Sequence, residues 1–338
     1  MMIHALDFSH WKRSSLRRFL APANVKFVNH IAQVPQRATL AVWGMRNVPE
    51  ASARHLSVLR IEDGFLRSVG LGADLIRPVS WVVDRLGMHF DPSHPSELEM
   101  LLAQTVFSAP LLQRAAALRK RIVANRLTKY NIGGTGWQRP AHATRVILVP
   151  GQVQSDASLL FGAPGIKTNQ ELLRAVRHAH PSAHVIYKPH PDVLAGLRGS
   201  VREEVAASDL YDQLVTEACM AELLDQVDEV HCLTSLTGFE ALLRDKPVSC
   251  YGLPFYAGWG LTTDMLAIPR RQRRLALDEL VAAALILYPR YLDWERNRLV
   301  SPEEALEQLM TRRDHTAPGT PVWRKVFRLA LRWHKGMT

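Results

Sequence analysis

The sequence predicts an α/β protein with two Rossmann-like domains and a cleft between them. Its 338 residues are more than one compact core usually holds. Short apolar runs alternate with helical patterns in two separate series, which is typical of parallel, doubly wound sheets. A glycine-rich stretch, residues 131–136, lies between the two series and has the composition of a linker.

The first series lies within residues 1–140, which we interpret as the N-terminal domain. Its strands are predicted from short apolar runs, and its longer helix from Leu111, Ala115, Leu118 and Ile122, which recur at helical spacing. The predicted strands are residues 25–31, 39–43 and 56–61, and the predicted helices are residues 97–104 and 111–126.

The second series lies within residues 141–295, which we interpret as the C-terminal Rossmann-like domain. Its first long helix has Asn169 in a favourable position for an N-cap. The predicted strands are residues 145–150, 184–187, 229–233 and 247–251, and the predicted helices are residues 169–178, 217–224 and 238–243.

Residues 296–338 predict two C-terminal helices. The first, 302–310, follows Ser301, a good N-cap, and has Glu304 in the capping-box position. The second, 322–334, mixes aromatic and apolar side chains with five basic ones. It either packs back on the domains or lies on an anionic membrane surface.

Composition excludes several classes of protein. Hydrophobic residues make up 47%, which excludes general disorder. The 42 basic residues exceed the 32 acidic ones, so the net charge of +10 favours an anionic partner: nucleic acid, a membrane surface or a charged substrate. The three cysteines form no CxxC motif, so we expect no metal site and a reducing, cytoplasmic location. The lack of GxGxxG and GxxxxGK[ST] argues against dinucleotide oxidoreductases and P-loop enzymes.

Two polar segments at predicted strand ends have the chemistry of a phosphate site. Lys188 and His190 follow one strand, and Pro189 and Pro191 stiffen the backbone around the histidine. The alternative is a rigid loop whose histidine satisfies a backbone carbonyl. Residues 234–238 leave another strand with three hydroxyl side chains and a glycine before a helix, a pattern that favours anion binding over simple capping.

Carboxylates follow two further strands. Asp156 lies in the polar loop 151–158 and is either a nucleophile or general base, or a turn residue that caps the next segment. Glu62 and Asp63 precede Arg67, so they either serve acceptor binding and proton transfer or form an internal salt bridge. The aromatic loop 252–262 either shapes a sugar or base pocket or packs on the core.

Six ordered segments span most of residues 56–295. They are RIEDGFLRSVGLGADL from Arg60, LTKYNIG from Leu127, VPGQVQSDAS from Val149, YKPHPDV from Tyr187, TSLTGFEALLRDKPV from Thr234 and YGLPFYAGWGLT from Tyr251. Together they resemble the bacterial capsule-synthesis β-Kdo glycosyltransferases, of which this chain has a single KpsC-like module. The termini match weakly, as terminal segments often do.

The resemblance implies a glycosyltransferase of the GT-B type that moves Kdo with retention from CMP-Kdo to a lipid-linked or polysaccharide acceptor. CMP is a good leaving group once donors neutralise its single phosphate, and no DxD dyad lies on a predicted strand-exit loop, so we expect no metal and no cofactor. The resemblance places Asp156 at the reacting carbon, with Glu62, Asp63 and Arg67 on the acceptor side. It places the donor beside Gln152, Lys188, His190, Ser235, Thr237 and Glu240.

Two rival functions remain open at this point. The first is a transferase of the same fold that uses another nucleotide sugar, since helix-start phosphate sites are shared among such enzymes. The second is a basic nucleic-acid-binding protein. The middle of the chain lacks an aromatic-basic RNA motif, which argues against this function. We therefore expect no nucleic-acid partner. We expect a peripheral contact with the inner membrane through residues 322–334 and the basic segment at Trp11, Lys12, Arg13, Arg17 and Arg18.

Overall fold

The computed structural model describes residues 1–71, 75–134, 136–195 and 208–315. Within these ranges the chain forms a mixed α/β protein with two sheets that are mainly parallel. The predicted helix at 322–334 lies outside the described residues. Its packing or membrane contact stays a prediction.

The first sheet has the strand order β13-β12-β5-β4-β3-β1-β2. Strands β1 to β4 pair in parallel, whereas β5, β12 and β13 pair antiparallel to their neighbours. The bounds are β1 Met2–Leu6, β2 Asn24–Val28, β3 Thr39–Trp43, β4 Ser57–Asp63, β5 Ser80–Asp84, β12 Pro289–Asp293 and β13 Arg298–Val300.

The second sheet has the order β11-β10-β9-β6-β7-β8, and all of its recorded pairings are parallel. Its inner strands are buried along their length because helices cover both faces of such a sheet. The bounds are β6 Val146–Pro150, β7 His184–Lys188, β8 Gln213–Leu214, β9 Glu229–Cys232, β10 Val248–Cys250 and β11 Thr263–Asp264.

The helices surround these sheets. A π-helical stretch, Ala282–Leu287, continues the helix that starts at Leu277 and leads the chain into β12, and a short 3₁₀ turn spans Ile31–Gln33. The α-helices of the described ranges are His10–Phe19, Glu50–Ala53, Glu97–Gln104, Ala109–Ala124, Ala157–Gly162, Asn169–Ala179, Pro191–Leu194, Met220–Gln226, Leu236–Leu242, Leu277–Val281 and Pro302–Asp314.

The return of the chain to the first sheet corrects one predicted boundary. Residues 289–295 were assigned to the second domain, but β12 pairs with β5 of the first sheet. Tyr291 and Leu292 are buried there, so the strand completes the N-terminal core. The following helix, Pro302–Asp314, has the predicted capping box, in which Ser301 and Glu304 exchange backbone-to-side-chain hydrogen bonds.

The N-terminal helix, His10–Phe19, buries one face in the first core. Leu16 and Phe19 are fully buried, and the Phe19 ring stacks on Trp81 at 4.8 Å between centroids. The Lys12 ammonium lies 3.0 Å from the ring centroid of Trp43. The helix is therefore part of the first core, and its Lys12 side chain packs on Trp43 at the end of β3. The predicted membrane contact of this segment stays a prediction.

Candidate active site

A cavity of about 580 Å³ is lined by loops of both sheets. These loops follow the carboxyl ends of β3, β4, β6, β7 and β9, the edge at which open α/β sheets bind ligands. The cavity brings together nine of the ten predicted site residues: Glu62, Asp63, Gln152, Asp156, Lys188, His190, Ser235, Thr237 and Glu240.

Asp156 is both a cavity residue and a helix cap. Its Oδ1 accepts hydrogen bonds from the backbone N–H and the hydroxyl of Ser158, at 3.0 and 2.9 Å. It is the N-cap of the helix Ala157–Gly162. The two interpretations of this residue are therefore compatible, because capping fixes the carboxylate in one orientation at the cavity wall.

Gln152 joins the loops that follow β6 and β9. Its Oε1 accepts from the backbone N–H of Thr234 at 3.0 Å, and its Nε2 donates to the Thr234 hydroxyl at 3.0 Å. Both ends of the buried amide are thus used in holding two lining loops together.

Lys188 and His190 lie at the end of β7, as predicted. Lys188 is buried, and burial lowers the pKa of its ammonium to about 8. His190 caps the helix Pro191–Leu194, because its Nδ1 accepts from the backbone N–H of Asp192 at 3.1 Å. In the neutral imidazole this places the proton on Nε2, which becomes the donor of the ring.

The start of the helix Leu236–Leu242 has Ser235 as its N-cap, with the hydroxyl accepting from the backbone N–H of Thr237 at 3.2 Å. Thr237 itself lines the cavity. Gly238 leaves room for the Tyr256 hydroxyl, which a Cβ at this position would overlap. That hydroxyl in turn bonds the carbonyl of Ser235, so the glycine serves packing beneath the helix start.

Glu240 holds a loop of the other half of the chain. Its Oε1 accepts from the backbone N–H of Lys129 at 2.7 Å. Burial raises the pKa of the Glu240 carboxyl. The contact of Glu240 with the donor, which the resemblance implies, stays a prediction, whereas this bond to the loop is a role that the sequence did not indicate.

Glu62 and Asp63 end β4 at the cavity, but they differ in their partners. Asp63 accepts from Arg67 Nε at 2.6 Å and from the Trp81 indole at 3.1 Å. Glu62 accepts from the backbone N–H of Asp63, and burial together with the Asp63 charge raises the pKa of Glu62 to about 7. Glu62 is therefore poised to exchange a proton near neutral pH.

The predicted acceptor-side role of Arg67 stays a prediction. The residue is 2% exposed and is not among the cavity residues. Its guanidinium donates hydrogen bonds to the Asp63 carboxylate at 2.6 Å and to the Ser68 hydroxyl at 2.9 Å. The internal salt bridge, the alternative interpretation of this segment, is the one that forms.

The aromatic loop after β10 is mostly core. Trp259 and Tyr256 are fully buried, and within this loop Pro254 and Phe255 reach the cavity. Phe255 stacks on Phe65 with ring centroids 4.5 Å apart. The loop thus supplies part of the apolar lining of the cavity.

Two basic residues of the cavity lining, Lys129 and His89, were not predicted. Lys129 belongs to the segment LTKYNIG, one of the six that carry the resemblance, and that membership was the available signal. His89 has its ring at 4.9 Å from Phe65, and burial lowers its pKa to about 3, so the imidazole is neutral. We find no signal for His89 in the sequence.

Within the described ranges, no group of three or more His, Cys, Asp or Glu side chains is arranged to hold a metal ion. Over the same residues, no helix combines the length and apolar character required to cross a bilayer.

Residues 43–291 match the family model of capsule polysaccharide biosynthesis proteins. The chain belongs to this family. It is 43% identical over 325 residues to the capsule polysaccharide modification protein LipA of Neisseria meningitidis serogroup B, with 92% of the chain and 46% of LipA covered. The chain thus spans about half the length of LipA.

A shorter relative is the lipopolysaccharide-processing protein LpsZ of Rhizobium meliloti, 42% identical over 299 residues, covering 83% of the chain and 68% of LpsZ. Two solved structures of Thermosulfurimonas dismutans KpsC are also similar. Its β-Kdo 2,7 transferase has a TM-score of 0.75 and 37% identity, covering 92% of this chain and 99% of that one. Its β-Kdo 2,4 transferase has a TM-score of 0.81 and 32% identity, covering 90% and 97%.

Proposed function

We propose that this capsule-synthesis protein is a retaining β-Kdo transferase of the GT-B type, which moves Kdo from CMP-Kdo to a glycolipid or polysaccharide acceptor. The similarity to two KpsC β-Kdo transferases over nearly their whole length supports the reaction class. The observation that carries the proposal is chemical: Asp156 lines the same cavity as Lys188, His190 and a helix start, so a carboxylate faces a site suited to phosphate.

The leaving group is CMP, whose phosphate binds Lys188, the Nε2–H of His190 and the helix start at Ser235 and Thr237. These donors stabilise the charge that develops on the phosphate as the bond to the sugar breaks. In the first displacement a carboxylate oxygen of Asp156 bonds to the anomeric carbon, and the bond from that carbon to the phosphate oxygen breaks with its electron pair, releasing CMP.

In the second displacement an acceptor hydroxyl attacks the same carbon and the bond to Asp156 breaks. Glu62 takes the hydroxyl proton, for which a pKa of about 7 suits it. Two inversions give net retention, as in retaining glycosidases. The chain's own residues supply every group in these steps, and we propose no cofactor.

We further propose that the enzyme works in the cytoplasm beside the inner membrane, where a lipid-linked acceptor is presented. In the N-terminal helix the Arg17 side chain is exposed and could contact lipid, whereas the Lys12 ammonium packs on the Trp43 ring. Residues 322–334 are the stronger membrane element by composition. Truncation after Pro321 should release the protein from anionic vesicles and keep activity on soluble acceptors; retained binding would contradict this role.

A donor screen tests the function. The purified protein is incubated with CMP-Kdo, a CMP-linked sialic acid and several UDP-sugars, with β-Kdo-terminated oligosaccharides as acceptors, and nucleotide release is measured. We expect release from CMP-Kdo alone. Release from a UDP-sugar with CMP-Kdo inert would favour the rival transferase instead.

A further inference from the structure

Lys129 is held in place from both halves of the chain. Its backbone N–H donates to Glu240 at 2.7 Å, and its carbonyl accepts from the N–H groups of Arg67 and Ser68, at 3.3 and 3.1 Å. Because three backbone hydrogen bonds fix the main chain, the side chain starts from a defined point at the cavity. Such rigid support is typical of a binding residue.

The Lys129 ammonium is surrounded by negative charge but has no carboxylate within 4.0 Å in the described part of the chain. Burial opposes its charge, whereas the carboxylates of Asp63, Asp156 and Glu62 favour it and raise the pKa of Lys129. It therefore stays a cation.

The nearby carboxylates already have other hydrogen-bond donors. Asp63 is bonded to Arg67 and Trp81, and Asp156 to Ser158. Glu62 accepts from a backbone N–H. The cation consequently lies in the cavity without a direct ion pair, where it can bind an anionic ligand.

The chemistry of the proposed donor indicates which anion. Kdo is a ulosonic acid, so its carboxylate is attached to the anomeric carbon, the atom that Asp156 would attack. Two like charges would then approach each other in a cavity of reduced dielectric, which is costly unless a cation lies beside both. Lys129 interacts electrostatically with Asp156, and Lys188 is the cation placed beside His190 at the phosphate end.

We propose that Lys129 forms the subsite for the carboxylate of the acidic donor sugar, and so selects ulosonic acids over neutral sugars. This inference rests on the proposed function. It separates the two lysines of the cavity: Lys188 serves the phosphate and Lys129 serves the sugar acid.

Binding measurements on four proteins test the division. Calorimetry would give the dissociation constants of CMP, of a non-transferable CMP-Kdo analogue and of the methyl ester of that analogue, for the wild type, Lys129→Met and Lys188→Met. The ester keeps the phosphate and removes the sugar's charge. Lys129→Arg is the conservative variant, and circular dichroism checks that each protein is folded.

For the wild type we expect the acid to bind roughly 10- to 100-fold more tightly than the ester, as a charge-assisted contact predicts. Lys129→Met should abolish that ratio and leave CMP affinity unchanged, and Lys129→Arg should restore most of it. Lys188→Met should weaken all three ligands and keep the ratio.

Three outcomes would overturn the inference. If Lys129→Met weakens CMP as much as the acid, the residue is a phosphate ligand. If the variant keeps the wild-type ratio, the carboxylate binds elsewhere; in both cases the proposed donor stands. If the wild type binds CMP but gains nothing from the Kdo group, the donor itself is wrong, and the subsite falls with it.

Discussion

The backbone N–H of Lys129 donates a 2.7 Å hydrogen bond to Oε1 of Glu240, which connects the segment before the glycine-rich break to the helix Leu236–Leu242. The bond spans 111 residues of sequence and joins two walls of one cavity. It makes the position of Lys129 depend on a residue that the sequence assigned to the nucleotide.

Replacing Glu240 tests this connection. Glu240→Ala leaves a buried N–H without an acceptor, so the free energy of unfolding should fall by about 1–3 kcal/mol and donor affinity should fall as well. Glu240→Gln keeps an acceptor oxygen and should retain most of both. Chemical denaturation and calorimetry with a CMP-Kdo analogue measure the two effects.

Glu222 is a matched control, because its Oε1 accepts from the backbone N–H of Gly136 at 2.7 Å and it is not a cavity residue. Glu222→Ala should lose similar stability and keep donor affinity. A Glu240→Gln variant as weak in donor binding as Glu240→Ala would instead support direct contact of the carboxylate with the ribose.

Asp156→Asn should abolish transfer and leave CMP affinity and stability nearly unchanged. Asparagine caps helices about as well as aspartate, so the helix Ala157–Gly162 keeps its cap, while the amide is a poor nucleophile. Nucleotide release and thermal melting provide the two readouts.

Asp91 offers the control for this variant. Its Oδ1 accepts from the backbone N–H and hydroxyl of Ser93, at 2.9 and 2.6 Å, as Asp156 does from Ser158, but Asp91 does not line the cavity. Asp91→Asn should therefore remain active. Substantial activity in Asp156→Asn would remove the nucleophile from the mechanism.

His190 combines a capping role with a proposed phosphate contact, and two substitutions separate them. His190→Asn can still cap the helix Pro191–Leu194, whereas His190→Ala cannot. Both should lose about 1.5–3 kcal/mol of transition-state stabilisation, seen mainly in kcat, because both lack the imidazole donor. If His190→Asn keeps wild-type turnover, the histidine serves only as a cap.

The pH dependence should differ between the two substrates. Glu62 must be deprotonated to accept a proton, so kcat/KM for the acceptor should rise as pH increases through about 7. Lys188 must be protonated to bind phosphate, so kcat/KM for the donor should fall as pH increases through about 8. Steady-state kinetics at several pH values measure both.

Two variants assign these limbs. Glu62→Gln should remove the acid limb together with most of the acceptor reaction, and Lys188→Arg should extend the alkaline limb upward because arginine stays charged. An acid limb that persists unchanged in Glu62→Gln would assign the base to another residue.

Local sequence patterns predicted part of this fold well. Strand β3, Thr39–Trp43, was predicted with the same bounds, since its apolar run begins after Thr39 and ends at Gly44. Strand β1 was missed because His4 interrupts its short apolar run, although that side chain is buried. The pairing of β12 with β5 could not be predicted, because it depends on where the chain returns after the second sheet.

The site was predictable where residues follow parallel strands directly, as Asp156, Lys188 and Glu62 do, since those strand ends meet at one edge. The prediction was incomplete for residues whose partners are distant in sequence or whose charge is already paired within the protein. Arg67 forms an ion pair with Asp63, four residues away. Lys129 is held at the cavity by the hydrogen bond from its backbone N–H to Glu240. Neither relationship has a local pattern.

The most direct test of the account is the stereochemistry and donor of the product. The purified chain is incubated with CMP-Kdo and a β-Kdo-terminated acceptor, and the anomeric configuration of the new linkage is determined by NMR. We predict a β-linked Kdo that is absent with Asp156→Asn. An α-linked product, or transfer from a different nucleotide sugar with CMP-Kdo untouched, would contradict the account.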